Sequence, residues 1–280
     1  MAERRRGVVL RIEGNVCFVD ADGERLSCFL PKSRRREARR RGGTALAPGD
    51  RVHVEPAGET NLDLWRILEV EERRSALSRR RLETRRPGED VLIANPDRLL
   101  VVAACDRPPL NPRFADRLLC AGELHGLECV LVLNKLDLVE PAAAAGLTAP
   151  YRTAGYRCLV VSAADGRGID ELRGLLGTGL TLLAGRSGVG KSSLLNACFP
   201  DFDLRVGAVS DYSDKGVHTT TSPELFPLGG GYVADTPGMR VFALWGVTAA
   251  ELAGLFPDIA RYSDDCRFGD CRHRSEPGCA

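Results

Sequence analysis

Over the first 72 positions the hydrophobic residues come in short alternating runs separated by turn signals. Gly7 to Ile12 and Asn15 to Asp20 flank a Glu-Gly turn. Arg25 to Leu30 follows Asp22-Gly23, Arg51 to Glu55 follows Pro48-Gly49-Asp50, and Trp65 to Val70 closes the set. Alternation with period two marks strands buried on one face. Five such strands with turns between them predict a small barrel of the OB type. Beyond residue 90 the pattern changes. Apolar runs at 98–103, 129–133, 157–161 and 180–184 alternate with helical patterns at about 112–125, about 168–177 and 192–198. Strands alternating with helices predict a parallel sheet covered on both faces. Asn111-Pro112 offers a side-chain cap and a first-turn proline to the helix that follows. Tyr232-Val233-Ala234 is one more apolar stretch, whereas residues 200–223 have no long period.

Composition narrows the classes. No apolar run approaches the 18 residues of a membrane span, and the N-terminus has no signal-peptide core, so a soluble, cytoplasmic protein that avoids membranes is expected. Seven of the ten cysteines (17, 28, 105, 120, 129, 158 and 198) are scattered, mostly in apolar stretches, which suits small core residues better than a disulfide framework. The net charge of +1 conceals an asymmetry: residues 1–86 hold 21 Lys+Arg against 14 Asp+Glu, and the rest of the chain holds 18 against 24. The basic excess is densest between the third and fourth strands, where Lys32, Arg34, Arg35, Arg36, Arg39, Arg40 and Arg41 are opposed by a single acid, Glu37. Such a run on an oligonucleotide-binding type of barrel suits an RNA backbone; without interleaved aromatics, base stacking is not indicated. A second arginine-rich stretch, 73–90, reads as a linker.

Candidate chemistry centres on Gly185-Arg186-Ser187-Gly188-Val189-Gly190-Lys191-Ser192-Ser193, between the apolar run 180–184 and a helix. Strand, glycine-rich loop and helix start are what a phosphate-binding loop requires: backbone N–H groups converge on one anion, Lys191 reaches the β- and γ-phosphates, and the Ser192 hydroxyl ligates Mg²⁺. Asn134-Lys135-Leu136-Asp137, after the run 129–133, selects the base. A carboxylate at Asp137 accepts from N1–H and the 2-amino group of guanine, and adenine would leave it unpaired. The Asn134 side chain can tie this loop to the phosphate loop, and the Lys135 stem can cover the base. Ser162-Ala163 follows a further strand and can offer a backbone N–H to guanine O6. Asp235-Thr236-Pro237-Gly238 would hold Mg²⁺ through Asp235 and sense the γ-phosphate through the Gly238 N–H. One of Thr219, Thr220 and Thr221 would close onto Mg²⁺ from a first switch loop over 200–223; the sequence does not say which. At the C-terminus, Cys266, Cys271, His273 and Cys279 supply three thiolates and one imidazole, a donor set suited to a closed tetrahedral Zn²⁺ site.

The order of these motifs is unusual. Asn134–Asp137 and Ser162-Ala163 precede the phosphate loop, and Asp235–Gly238 comes last, so the sequence reads as a circularly permuted GTPase domain. Across nearly its whole length the chain resembles the ribosome small-subunit-dependent GTPase family of bacteria. Further matching stretches are Ala94-Asn95-Pro96-Asp97, His218-Thr219-Thr220-Thr221, and the terminal cysteine–histidine segment. The resemblance implies a multidomain protein: an OB-type RNA-binding barrel over 1–72, a basic linker over 73–90, a permuted GTPase domain over 91–244, and a zinc module over 245–280. It implies GTP/GDP with Mg²⁺, one structural Zn²⁺, the 30S subunit and its rRNA as partners, and a monomer. Many GTPases carry a water-orienting glutamine after the Asp-x-x-Gly glycine, and here that position is Met239. The resemblance makes His218 the candidate catalytic residue; a group supplied by the ribosome is the other option. Val217 stands where the family usually has arginine. Two rival functions remain at this stage: an RNA-binding protein that uses GTP only as a structural ligand, and a permuted GTPase acting on another RNA or on the large subunit.

Overall fold

The alternating N-terminal runs close into a barrel. A computed structural model describes residues 3–40, 43–58, 64–81, 88–200, 223–235, 247–248 and 251–280. Strands β1 (Arg5–Glu13), β2 (Val16–Ala21), β3 (Glu24–Phe29), β4 (Arg51–Pro56) and β5 (Leu64–Val70) form a closed barrel in the order β1-β2-β3-β5-β4. β3 and β5 pair in parallel and the other described pairs are antiparallel. Alternation does what it predicts: Cys17, Val19 and Ala21 of β2 point inward with Val9, Leu26, Cys28, Val52, Val54, Trp65 and Ile67, while Phe18 and Asp20 face out. The OB-type barrel expected from the pattern is therefore present.

The basic run between β3 and β4 is a helix, α1 (Lys32–Arg40), where the pattern showed only a charged connection. Two of its arginines serve the barrel. Arg35 donates to the Asn15 side chain and to Asn15 O, and Arg34 donates to Leu68 O at 3.4 Å. Lys32, Arg36 and Arg40 are exposed; the Arg39 side chain and Arg41 lie outside the described residues.

The stretch expected as a linker carries β6 (Ala76–Arg81), antiparallel to β7 (Gly88–Ala94). Buried polar groups join this ribbon to the barrel. Arg73 forms a two-pronged ion pair with the fully buried Asp50, at 2.7 and 2.8 Å, and Asp50 also accepts from Ala47 N. Asn95 donates to Gly49 O and accepts from Arg74 N. A side chain on Gly49 (φ +89) would lie 2.0 Å from Ala94 O, so this approach requires glycine. Asp97 takes the Leu180 N–H at 2.7 Å. Asn95 and Asp97 of the matching Ala-Asn-Pro-Asp stretch thus work as structural ties.

The remaining strands are β8 (Arg98–Ala104), β9 (Glu128–Asn134), β10 (Arg157–Val160), β11 (Leu180–Ala184), β12 (Glu224–Leu228) and β13 (Gly231–Asp235). They form one sheet in the order β10-β9-β8-β11-β13-β12, with β8, β9 and β10 parallel and β12–β13 an antiparallel hairpin. Its helices are α2 (Pro112–Leu124), α3 (Pro141–Ala154), α4 (Ile169–Leu176) and α5 (Lys191–Cys198). Asn111 caps α2 by accepting from Phe114 N at 3.2 Å. Helix α3, with Pro150 inside, and strand β12 had no counterpart in the sequence pattern. All seven scattered cysteines are buried thiols; burial pushes Cys17, Cys28 and Cys129 up to about 12. The chain divides into two compact units: Met1–Asp97 with Leu176–Leu182 and Asp211–Val241, and Arg98–Leu175 with Leu183–Ser210 and Phe242–Ala280. Among the described residues no helix is long and apolar enough to cross a membrane.

Arg73→Ala should be costly, because it leaves the Asp50 carboxylate buried without its cation. A loss of about 3–5 kcal/mol is expected, read as a lowered urea midpoint; an unchanged midpoint would show that the pair is dispensable.

Candidate nucleotide and metal sites

The phosphate loop leaves the fully buried strand β11 and ends where α5 begins, with Gly190 as the cap residue at φ +93. Val189, Leu194, Leu195 and Cys198 are buried and seat the loop and helix, while Arg186, Ser187, Gly188 and Ser193 are exposed and Ser192 is half-buried. Lys191 Nζ donates to Gly185 O at 2.9 Å and Arg186 O at 3.2 Å, so its charge lies along the loop. Arg173 Nε donates to Cys198 O at 2.6 Å and fixes the far end of α5.

Asn134 ends β9 with its side chain buried. Its Nδ2 donates to Val189 O at 2.9 Å, and its Oδ1 accepts from Ala163 N at 3.2 Å. One side chain therefore joins the Asn-Lys-x-Asp loop, the phosphate loop and the Ser-Ala loop. Gly190 makes room for it: a side-chain carbon there would lie 2.4 Å from Asn134 Nδ2. Lys135 adopts left-handed backbone at φ +63, and its ammonium donates to Arg107 O in the loop after β8. Asp137 accepts from the Ser162 hydroxyl at 2.7 Å, and that hydroxyl oxygen accepts in turn from Ala164 N and Asp165 N at 3.3 Å. Next to it, hydrogen bonds from Arg167 hold the exposed Asp165 carboxyl down at about 2.

The Ser162 hydroxyl was not singled out in the sequence, where only the backbone of Ser162-Ala163 was considered. The Ala163 N–H faces Asn134, and Ser162 N donates to Arg167 O. Asp235 ends β13. His218, Thr219, Thr220, Thr221, Gly238 and Met239 lie outside the described residues.

At the C-terminus the ligand atoms of Cys266, Cys271, His273 and Cys279 all lie within 4.8 Å of one another. His273 Nδ1 is 3.6, 4.0 and 3.5 Å from the Sγ atoms of Cys266, Cys271 and Cys279. With Zn–S of about 2.3 Å and Zn–N of about 2.0 Å, a tetrahedron has N···S edges of about 3.5 Å, so the four groups fit zinc. Nε2 of the same ring sits 3.3 Å from Ser263 Oγ, a partner that orients the ring. Glu276 accepts from Arg272 N, Arg274 N and Ser275 N, which brace the left-handed turn at His273 (φ +53) and hold the Glu276 carboxyl down at about 2. Neither Ser263 nor Glu276 was anticipated; a carboxylate three positions before the last cysteine was the available signal.

The RsgA GTPase family model matches residues 70–245, more than half of the chain. The chain belongs to the RsgA GTPase family. Its relatives include proteins named small ribosomal subunit biogenesis GTPase RsgA from Gemmatimonas aurantiaca, 43% identical across all of this chain and 91% of the relative, and from Chlorobaculum parvum, 42% identical with the same coverage. Among solved structures, YjeQ from Thermotoga maritima superposes with a TM-score of 0.75 at 31% identity, covering 99% of this chain and 89% of that one. YloQ, described as a circularly permuted GTPase, gives 0.73 at 26%, covering 99% and 86%. This chain is accordingly a GTPase of permuted order: the strand that enters the phosphate loop, β11, comes after β8, β9 and β10 in sequence yet lies between β8 and β13 in the sheet.

Gly190→Ala should weaken binding of a fluorescent GDP by roughly tenfold, since about 1–2 kcal/mol of left-handed strain adds to the clash with Asn134; unchanged affinity would mean that the tie is not needed. Protein purified without added zinc should carry one zinc per chain by metal analysis and lose it in Cys266→Ser with Cys271→Ser.

Proposed function

We propose that this protein hydrolyses GTP as a late assembly factor of the small ribosomal subunit, binding rRNA and turning over when the subunit engages it. The observation that carries this reading is full-length identity of up to 43% to proteins named for small-subunit biogenesis. The linkage of the Asn-Lys-x-Asp, phosphate and Ser-Ala loops through Asn134 supports the guanine-nucleotide part of it.

The work divides along the chain. The barrel over 1–72 and the arginine-rich stretch 73–90 face RNA, chiefly through the exposed Lys32, Arg36 and Arg40, because Arg34 and Arg35 are engaged with the barrel. Within 91–244, Asp137 reads guanine N1–H and the 2-amino group, with Ser162 fixing the carboxylate. The phosphate loop 185–193 holds the phosphates through its N–H groups and Lys191. Ser192, Asp235 and one threonine of 219–221 serve Mg²⁺, which offsets charge on the phosphates, and Gly238 senses the γ-phosphate. His218 is the candidate that orients water, since Met239 cannot. The module over 245–280 holds one structural zinc.

Nucleotide choice tests the base site. Wild type should bind GTP and ignore ATP, and Asp137→Asn should turn the preference toward xanthosine nucleotides, whose 2-oxo group accepts where guanine donates. Equal affinity for ATP and GTP would sink the assignment.

Partner choice tests the rest. Hydrolysis should be slow alone and rise by roughly 10³–10⁵ when a partner completes the site. Small subunits, large subunits and bulk RNA are compared at one salt concentration. Equal stimulation by all three would reduce the basic helix to a general polyanion patch, and stimulation by none would favour GTP as a structural ligand. Reversing the charge of Arg36 and Arg40 should abolish stimulation and leave basal turnover intact.

A further inference from the structure

The outer face of the barrel carries a clamp on the β12–β13 hairpin. Asp20 stands outward on β2, and Tyr232 of β13 donates its hydroxyl to Asp20 Oδ2 at 2.7 Å. Burial and the neighbouring carboxylate raise the Tyr232 hydroxyl well above the usual phenol range, so it remains a donor at every physiological pH. Beside it the Arg11 and Arg25 guanidinium groups lie over the Phe18 ring, 4.7 and 4.5 Å from its centroid. Both also reach the Glu224 carboxylate of β12, at 3.5 and 3.8 Å. The hairpin register gives these contacts their meaning. Glu224 is the direct cross-strand partner of Asp235, and Tyr232 lies three residues before Asp235 on the same strand. The backbone that carries Asp235 is therefore held from the strand opposite and from its own strand, and both holds end on the barrel.

We infer that Tyr232 and Glu224 are positioning residues through which engagement of the barrel by RNA sets the backbone at Asp235, coupling subunit binding to the nucleotide state. The inference rests on the reading of Asp235 as the magnesium residue and of the small subunit as partner. Binding couplings are reciprocal: if barrel engagement favours the GTP arrangement at Asp235, GTP must raise affinity for the subunit by the same factor. The clamp suits this role because one directional hydrogen bond, at 2.7 Å, and two longer ion pairs, at 3.5 and 3.8 Å, hold the hairpin from both of its strands.

The test is the ratio of subunit affinities measured with a non-hydrolysable GTP analogue and with GDP. Wild type should bind small subunits more tightly with the analogue. Tyr232→Phe keeps the ring and removes the donor; combined with Glu224→Gln it should bring the ratio down by roughly three- to tenfold, about what one or two hydrogen bonds contribute. Asp20→Asn leaves one acceptor oxygen where the carboxylate serves two donors, Gly23 N and the Tyr232 hydroxyl, and should lower the ratio in the same direction. A wild-type protein that does not bind small subunits overturns the functional reading, and the relay with it. A wild-type protein that binds them with a ratio of one, or a double variant that keeps the wild-type ratio, overturns the relay alone.

Discussion

The nucleotide site depends on one buried carboxamide. Asn134 donates to Val189 O and accepts from Ala163 N, so loops that follow three different strands share a single hydrogen-bonding centre. Left without these partners, a buried amide costs about 1–3 kcal/mol, so the three loops are held in the arrangement that satisfies it. The tight pocket also explains why Gly190 must be glycine independently of any phosphate: its backbone angle and the space beside it are both taken up by this contact. Around that centre the remaining polar groups fall into a hierarchy. Ser162 orients Asp137, Lys135 ties the loop after β8, and Arg173 closes the end of α5.

Elsewhere too, polar groups at a few fixed points do the joining, while apolar cores fill the elements themselves. Asp50–Arg73 and Asn95 fasten the ribbon to the barrel, and Asp97 takes the Leu180 N–H at the start of β11. The C-terminal module takes this furthest. None of its residues from 251 to 280 is buried, and its shape is drawn by four ligand side chains and a Glu276 carboxylate that gathers three N–H groups. A metal that binds four such ligands contributes folding free energy that a small module cannot obtain from its own core.

Much of this was readable in the chain. Period-two alternation gave the five barrel strands within one or two residues, because one face of each is buried and a slip of one residue would turn every side chain the wrong way. Apolar runs gave β8, β9, β10 and β11, because these strands are buried on both faces and read as near-continuous apolar stretches, and the motif order announced the permutation. What was missed has physical causes. Helix α1 has no apolar stripe, and its contacts to the barrel are made by Arg34 and Arg35 with Leu68 O and Asn15, so no periodicity signals it. The β6–β7 ribbon is arginine-rich and looks like a linker until its register is known. The roles of Ser162, Asn95 and Glu276 lie in hydrogen bonds to backbone atoms far away or around a turn, and sequence spacing does not encode those.

The Tyr232–Asp20 contact spans 212 residues, and this has a consequence for how the molecule is made. At a synthesis rate of about 5–20 residues per second, the barrel strand bearing Asp20 leaves the ribosome roughly 10–40 s before Tyr232 exists. The barrel has its own closed set of strands and its own core, so nothing in it waits for the hairpin. During that interval Phe18, Arg11, Arg25 and Asp20 form an uncovered outer surface on a nascent chain, and the mixed charge of that surface helps to keep it soluble. The β12–β13 hairpin is made after every other strand of the sheet, and only the C-terminal module follows it. A barrel folded early therefore serves as the template onto which the final hairpin docks.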